Sequence, residues 1–247
     1  MRPKVGGQKG LAAFAAFVAR TYASQSGIVY CLSRDECSTV CDALCAAGVS
    51  ACIYHAGMTP RQRVAVQRDW CTGASHVACA TIAFGMGIDR ADVRFVLHYT
   101  MPKSIENCYQ EAGRAGRDGQ PASHTLFFSP GDHSRVVRLI RRGKRQAGGG
   151  NTAAALRLAD AMRDYCTQKC VCRRVQLLDY LGEQFESARC RGTCDNCARA
   201  AGTLPPGHDE PLPGAGPLAK LRTRKPKATK GARGKKRARV AKPRAKS

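Results

Sequence analysis

Residues 111–119 contain two arginines whose type and spacing suit chemistry on a phosphoryl group. Arg114 and Arg117 stand three positions apart, and a glycine precedes each of them. At a helix end, residues three apart point the same way, and the small residues between them let a backbone or a phosphate approach closely. A guanidinium carries a permanent charge and a planar set of donors, which suits a phosphoryl group in transfer. A salt-bridged surface turn is the alternative that the spacing leaves open.

Residues 80–89 form a second candidate for contact with a nucleotide. An apolar segment there runs into Gly85, Gly87 and Asp89. Backbone N–H groups at a strand end can bind phosphates, and a carboxylate can accept a hydrogen bond from a ribose hydroxyl. Because Gly-x-Gly often occurs by chance, this stretch gains meaning only beside the arginines.

Four cysteines have the spacing of a metal site. Cys190, Cys194 and Cys197 form C-x3-C-x2-C, and Cys172 lies 18 positions before Cys190. Three thiols on one loop and a fourth on a preceding helix can surround Zn²⁺ tetrahedrally. A set of four thiolates leaves no open catalytic position, so the spacing predicts structural zinc. Scattered buried thiols are the alternative, and the spacing does not exclude Cys170 as a substitute for Cys172.

The residues around this cluster extend the prediction. Asp195 and Asn196 are expected to form a turn whose N–H groups stabilise the thiolates. Cys166 is a further spare thiol. Most of the other cysteines among the 14, such as Cys31, stand singly in apolar segments, which favours a reducing compartment over a disulfide framework.

Alternating strand-like and helix-like segments must position these residues. Short apolar runs predict strands at residues 27–31, 51–54, 76–80, 94–98 and 123–128. Helices are predicted over residues 35–47, 60–70, 104–115 and 130–142, with Pro60 and Ser104 at two helix starts. This alternation predicts an α/β fold with a parallel sheet flanked by helices. Functional residues of such sheets gather on the loops beyond the carboxyl ends of the strands.

The apolar residues 11–19 allow two interpretations. Leu11, Phe14 and Val18 have the helical spacing of a core-facing helix, which is the interpretation we favour. The basic residues that precede them also resemble the start of a short signal or transit peptide. No apolar run reaches the roughly 18 residues that are needed to cross a bilayer.

Composition divides the chain into four predicted segments. These are an α/β lobe at residues 1–145, a small helical zinc module at 151–200, a Pro/Gly linker at 201–217 and a disordered basic tail at 218–247. Three glycines at 148–150 separate the first two, and helices are predicted over 151–163 and 175–181. The tail has no aromatic residue and almost no large apolar residue, so it cannot bury a core.

The net charge indicates a polyanionic partner. Lys and Arg total 41 against 18 acidic residues, a net charge of +23, and 14 of the basic residues lie between Lys220 and Lys246. This balance favours nucleic acid, with an anionic membrane surface as the second choice, and we expect DNA and no membrane. The basic run at residues 235–239 is typical of nuclear-localisation or DNA-anchoring patches. The nucleus is therefore the expected location, with the cytoplasm or mitochondrion as alternatives.

Taken together and in order, these motifs resemble those of the RecQ family of DNA helicases. Residues 26–34 are similar to helicase motif IV, 54–57 to the turn that follows it, 80–99 to motif V and 102–119 to motif VI. The particular residues of motifs V and VI in this chain distinguish the RecQ family from most superfamily-2 helicases. The resemblance runs from about residue 11 to 197, with Cys108 standing where an aromatic residue is expected.

The resemblance implies a RecA-like lobe in an enzyme that unwinds DNA with 3′-to-5′ polarity in repair or recombination. Arg117 would be the arginine finger on the γ-phosphate of ATP, Arg114 its companion, and Gln110 a link between the nucleotide and DNA sites. Asp89 would contact the ribose, and the four cysteines would be the family's zinc ligands. The resemblance also implies three residues on or near the DNA backbone, namely Ser33, Arg34 and Thr81.

Two motifs of a first helicase lobe are missing from the sequence. No Gly-x-x-x-x-Gly-Lys-Ser/Thr occurs, and no Asp-Glu-x-His follows an apolar strand. The phosphate cradle, the Mg²⁺ ligand and the general base are therefore expected from a first lobe, and ATP and Mg²⁺ are expected to bind only together with it. The isolated chain should bind DNA without hydrolysing ATP. A fragment of a larger gene product and a non-enzymatic, zinc-stabilised DNA-binding module are the alternatives.

Overall fold

The computed structural model describes residues 1–85, 90–147 and 151–213, except for the side chains of residues 144–147. Its centre is a six-stranded sheet in the order β1-β6-β5-β2-β4-β3, and all neighbouring strands are parallel. The strands are β1 (Arg2–Pro3), β2 (Gly27–Tyr30), β3 (Ala51–Tyr54), β4 (Val77–Ala80), β5 (Phe95–His98) and β6 (Ser123–Phe128). The predicted α/β fold with a parallel sheet is therefore confirmed.

Helices cover the sheet and continue into the cysteine-rich segment. In the described part of the chain they are α1 (Gly7–Thr21), α2 (Arg34–Ala46), α3 (Pro60–Cys71), α4 (Ile105–Ala112), α5 (Pro130–Ala147), α6 (Thr152–Thr167), α7 (Arg173–Tyr180) and α8 (Asp195–Ala200), with a 3₁₀ helix at Ser187–Cys190. Thr59 caps α3 in a reciprocal capping box ahead of Pro60, and the Ser104 side chain caps α4. Both predicted helix starts are confirmed.

The two faces of the sheet bury different helices. Phe14 of α1 packs edge-on against Tyr99 and Phe127, with ring centroids 4.9 and 5.0 Å apart. Helix α2 contributes further buried residues to the same cluster. On the other face, Trp70 of α3 packs against Phe84 at 5.2 Å. Alternate strand residues supply each core because successive side chains point to opposite faces. The helical interpretation of residues 11–19 is confirmed.

A third core cluster joins α4 and α5 to α6. It contains Ile105, Val136 and Met162, all of which are buried. Residues on both sides of 148–150 therefore share one core, although composition alone separates them. The proposed boundaries of the four segments stay predictions. The tail at 218–247 lies outside the described residues, as does the linker beyond residue 213.

No helix in the described ranges combines the length and the apolar character that a bilayer crossing requires.

Candidate functional site

The predicted nucleotide and DNA residues gather at one edge of the sheet. Strands β2, β3, β4 and β5 are parallel, so their carboxyl ends meet there. The loops and the helix that follow these ends carry Ser33, Arg34, Thr81, Gly85, Gln110, Arg114 and Arg117. Gly87 and Asp89 lie outside the described residues. Of the three residues predicted to contact the ribose and phosphates, only Gly85 is therefore described.

The arginines lie in a loop and not at the end of a helix. Helix α4 ends at Ala112, three residues before the predicted end, and we call residues 113–120 the arginine loop. Gly116 has φ +69°, and a Cβ there would lie 3.0 Å from the Gln120 carbonyl oxygen. The expectation that helical spacing aligns Arg114 with Arg117 is therefore wrong, because α4 ends at Ala112 and the positive φ of Gly116 turns the backbone between the two arginines.

Contacts from distant parts of the sequence fix the arginine loop to the sheet. The Gly116 N–H donates to the Val93 carbonyl at 2.9 Å. Arg94 donates to both carboxylate oxygens of Asp118, at 2.6 and 2.7 Å, and these hydrogen bonds hold the pKa of Asp118 below its usual value. Arg94 thus binds the Asp118 carboxylate. Asp118 is one residue with which Arg117 could form the surface salt bridge of the alternative interpretation.

Arg114 joins the arginine loop to the second candidate stretch. Its Nη1 donates to the Gly85 carbonyl oxygen at 2.6 Å. A Cβ on Gly85 would lie 2.8 Å from Arg114 Nη2, so the absence of a side chain permits this approach. The two stretches that suggested a phosphate site are therefore in direct contact, through a half-buried guanidinium.

Arg117 and Gln110 are exposed at the same edge. Burial raises the pKa of the Tyr30 hydroxyl well above its usual value, while the positive charges of Arg114 and Arg117 act in the opposite direction. Both guanidinium charges therefore act near the Tyr30 hydroxyl, which donates to the Phe84 carbonyl at 2.8 Å. The arrangement presents one braced and one exposed arginine on the same loop.

A buried His–Glu pair supports the start of the arginine loop, and sequence reasoning missed its role. His98 Nε2 lies 2.6 Å from Glu111 Oε2, and both residues are buried. The Tyr30 ring stacks on His98 with centroids 5.4 Å apart. Glu111 occupies the last turn of α4, so the pair fixes the helix immediately before the loop. The available signal was a histidine at the end of an otherwise apolar strand.

The residues predicted near DNA belong to two rigid turns. Ser33 Oγ accepts the Glu36 N–H at 3.2 Å as the cap of α2, and Glu36 Oε2 accepts the Leu32 N–H at 2.7 Å. Arg34 is exposed, and its guanidinium lies over Gly57, where a Cβ would approach Nη1 to 2.6 Å. The segments 26–34 and 54–57 are therefore in contact.

Thr81 lies beside a small cavity at the same edge. The cavity has a volume of about 50 Å³, and Leu32, Lys103 and the exposed Ile82 also contribute to its wall. Thr81 N–H donates to the Tyr54 carbonyl at 3.3 Å, which ties the loop after β4 to the end of β3. Structure thus brings Thr81 to the same edge as the Ser33 and Arg34 turn.

The four predicted zinc ligands converge. The sulfur atoms of Cys172, Cys190, Cys194 and Cys197 all lie within 4.8 Å of one another. The Cys172 and Cys194 sulfurs are 3.9 Å apart, close to the roughly 3.8 Å expected when two Zn–S bonds of about 2.3 Å meet at a tetrahedral angle. The cluster fits structural zinc.

Backbone N–H groups point at the Cys194 sulfur, and the pKa shifts of the ligand thiols differ in direction: burial raises the pKa of Cys172 and of Cys197, whereas that of Cys190 is lowered. The N–H groups of Arg173 and Cys197 lie 3.5 and 3.4 Å from Cys194 Sγ. Burial raises the pKa of Cys190, but donors that include the Thr193 hydroxyl and the Cys194 N–H lower it to a net value of about 6. Thiolates at neutral pH are the form that binds zinc.

Asp195 and Asn196 lie in the predicted turn, in which the Cys197 N–H points at the Cys194 sulfur, and their side chains add further contacts. Arg173 Nε and Nη2 donate to the Asp195 carboxylate at 3.0 and 3.1 Å. Asn196 Nδ2 donates to the carbonyls of Gln168 and Val171 at 3.1 and 2.7 Å. These contacts attach α8 to α7 and to the turn that follows α6.

The spare cysteines lie outside the cluster. Cys170 is exposed, and Cys166 is buried in the third core cluster. The group that converges in the described ranges contains Cys172 and not Cys170.

Comparisons with known proteins agree with this architecture. Residues 11–119 match the helicase conserved C-terminal domain, and residues 130–198 match the RecQ zinc-binding family. The RecQ-like DNA helicase blm-1 of Caenorhabditis elegans is 48% identical over 183 residues, covering 72% of this chain and 18% of that protein. The ATP-dependent DNA helicase Q-like 4B of Arabidopsis thaliana is 42% identical over 194 residues, covering 74% and 17%.

A solved structure of S. cerevisiae Dbp5 bound to RNA and ADP BeF3 is more distant. It has a TM-score of 0.47 and 18% identity, and the match covers 56% of this chain and 37% of that chain. The present chain spans less than a fifth of the two curated relatives described above. It belongs to the RecQ helicase family and contains the C-terminal helicase lobe and the zinc-binding segment of that family.

Proposed function

We propose that this chain is the second motor lobe and zinc module of an ATP-dependent RecQ-like helicase that unwinds DNA with 3′-to-5′ polarity in repair or recombination. The arginine loop is the observation that carries the proposal. Arg114 is held on the Gly85 backbone, and Arg117 is exposed at the carboxyl edge of the sheet. A first lobe that binds ATP opposite this edge would receive Arg117 at the γ-phosphate.

Each site residue has a distinct role in this proposal. Arg117 stabilises the charge that develops on the transferring phosphoryl group, and Arg114 positions the loop and contributes a second charge. Gln110, exposed on α4, links the nucleotide to the DNA track. Gly85 and Gly87 approach the phosphates through their backbones, and Asp89 accepts from the ribose.

ATP and Mg²⁺ are shared with the first lobe in this mechanism. That lobe supplies the phosphate cradle, the metal ligand and the general base, and this chain supplies the arginines. Hydrolysis then requires closure of the two lobes, which couples each ATP to a movement along DNA. The contact between Arg117 and the γ-phosphate forms only when the lobes close, because Arg117 and the bound ATP belong to different lobes.

DNA runs along the turns that carry Ser33, Arg34 and Thr81, on the same edge as the nucleotide site. Arg34 is exposed and basic, which suits a phosphate contact. The basic segment 218–247 adds affinity that does not depend on sequence, and directs the protein to the nucleus. Each neutralised phosphate contributes about −0.9 to the slope of log affinity against log salt on duplex DNA.

Zinc has a structural role in this proposal. Cys172, Cys190, Cys194 and Cys197 would hold it with four thiolates, which leaves no position for a substrate. The metal would fix α7 and α8 on the helicase lobe, where Tyr180 of α7 already donates to Glu106 of α4 at 2.8 Å.

ATP turnover with and without a first lobe tests the function. The chain alone should bind single-stranded DNA without hydrolysing ATP. A covalent fusion to the first lobe of a RecQ relative should show ATP turnover that DNA stimulates. The same first lobe fused to its own second lobe serves as the positive control.

Two results would contradict the proposal. One is robust turnover by the chain alone. The other is a folded, DNA-binding fusion that stays inactive while the positive control turns over, which would favour a non-enzymatic, zinc-stabilised DNA-binding module.

A further inference from the structure

A second group of metal-ligating side chains lies in the helicase lobe, apart from the four-cysteine cluster. His98 at the end of β5, Cys108 in α4 and His124 in β6 each bring one ligand atom within 4.8 Å of the other two. Two imidazoles and a thiolate form a donor set that suits Zn²⁺ and related divalent ions. These positions precede residues 130–198, which match the RecQ zinc-binding family.

The hydrogen bonds of His98 orient it as a ligand. Its Nε2 lies 2.6 Å from the Glu111 carboxylate, so the proton belongs on that nitrogen. The lone pair of Nδ1 then faces His124 Nε2, which lies 2.9 Å away. A carboxylate behind the distal nitrogen of a histidine is the arrangement that orients metal-bound imidazoles and makes them more basic.

Charge and burial at the site are compatible with a dication. His98 and Cys108 are 1% and 3% exposed, whereas His124 is exposed and leaves one side open to water. A Cys108 thiolate and the Glu111 carboxylate would together balance the two positive charges of the ion, which a buried dication requires. Binding must displace the thiol proton of Cys108.

Metal binding there requires two adjustments. His124 must carry its proton on Nδ1 instead of donating it from Nε2 to His98 Nδ1, and the two rings must then move apart. Two Zn–N bonds of about 2.0–2.1 Å at a tetrahedral angle place the nitrogens roughly 3.3 Å apart. The two ring nitrogens are 2.9 Å apart, so the imidazoles must separate by about 0.4 Å. The His124 ring packs edge-on against the His98 ring with centroids 5.0 Å apart, so this movement changes that contact.

We propose that His98, Cys108 and His124 bind a second Zn²⁺, with a water molecule completing the coordination on the exposed side. The ion would join β5, β6 and α4, and Glu111 would connect it to the start of the arginine loop. The bound metal would therefore be linked, through His98 and Glu111, to the arginine loop that carries Arg114 and Arg117.

Metal stoichiometry of the full chain tests this second site. The protein is produced with zinc, dialysed against a low micromolar zinc buffer and analysed for zinc per chain. The wild type should retain two equivalents, and Cys108→Ser and His124→Asn should each retain one. With Co²⁺ in place of zinc, thiolate-to-cobalt charge transfer gives an absorption band from both sites. In Cys108→Ser this band should weaken to the intensity that the four-cysteine cluster alone produces.

Two matched controls separate loss of a ligand from loss of packing. Cys166→Ser changes another buried thiol of the same core cluster, and His133→Asn changes a half-buried histidine that contacts Asp160. Both should retain two equivalents. A wild type with one equivalent, or two equivalents in His124→Asn, would overturn the proposal. The latter variant alters an exposed ring, so it gives an answer even if Cys108→Ser does not fold.

Discussion

The arginine loop and the four-cysteine cluster are held in different ways. The cluster collects its sulfur atoms from residues 172–197, a single short stretch of the chain. The arginine loop depends on Gly85, Val93 and Arg94, which are distant from it in sequence. The cluster holds its metal site with residues of this chain alone, whereas the proposed role of the loop requires a nucleotide on another lobe.

Substitutions in the two regions should therefore have different consequences. Changes in the cluster remove bonds on which local folding depends, so they should appear as lost stability. Changes in the loop should leave the fold largely intact and appear as lost turnover.

Loss of the zinc ligands should have the largest effect on stability. Structural zinc contributes on the order of 10 kcal/mol or more of apparent binding free energy. Cys194→Ser should therefore unfold the segment around α7 and α8, lower the zinc content and leave little soluble protein. Cys170→Ser is the matched control, because this exposed thiol lies outside the cluster. Thermal melting and zinc analysis measure both effects, and an unchanged melting curve in Cys194→Ser would argue against a metal site.

Displacing Arg114 from Gly85 should reduce turnover more than stability. In Gly85→Ala the new Cβ would lie 2.8 Å from Arg114 Nη2, and the flexible guanidinium must move. A displacement of about 1 Å near an active site can cost roughly 100-fold in rate. In the fusion with a first lobe, Gly85→Ala and Arg114→Ala should lower kcat by about 10- to 100-fold.

Gly131→Ala controls for the addition of a methyl group, since its Cβ would meet only the Ser129 hydroxyl at 4.0 Å. Equal turnover in Gly85→Ala, Gly131→Ala and the wild type would show that the Arg114–Gly85 contact is irrelevant to catalysis.

The shape of the arginine loop should make a smaller contribution to stability. Gly116 and Gly119 have φ +69° and +76°, so an alanine at either position should cost about 1 kcal/mol in backbone strain. A Cβ at Gly116 would also lie 3.0 Å from the Gln120 carbonyl oxygen, whereas the space beside Gly119 is open. Gly116→Ala should therefore lower the free energy of unfolding by about 2 kcal/mol, roughly twice the effect of Gly119→Ala. Chemical denaturation measures the difference, and equal losses would mean that the loop adapts freely.

Short-range patterns predicted much of this architecture. Five strands follow from apolar runs, and two helix starts follow from Ser104 and Pro60, because these signals depend on neighbouring residues. The cysteine spacing likewise identified the thiols that converge. Strand β1 was missed because two residues that include Pro3 carry no periodic pattern.

Long-range contacts explain what the sequence could not predict. The shape of the arginine loop depends on Gly116, whose N–H donates to the Val93 carbonyl in the loop before β5. The His98–Glu111 pair and the approach of His124 depend on strand order and helix packing, which no local spacing encodes. The roles given to Gln110 and Thr81 rest on family resemblance and stay predictions.

The rate of ATP hydrolysis by the Arg117→Ala fusion shows whether Arg117 acts as an arginine finger. An arginine finger is worth roughly 10³–10⁵ in rate, so kcat should fall by that factor while nucleotide affinity stays within a few-fold. Arg117→Lys should not restore turnover, because an ammonium lacks the planar fork. Arg68→Ala, which removes an exposed arginine paired with Asp69 on α3, should turn over normally. Turnover of Arg117→Ala within a few-fold of the wild-type fusion would contradict the account.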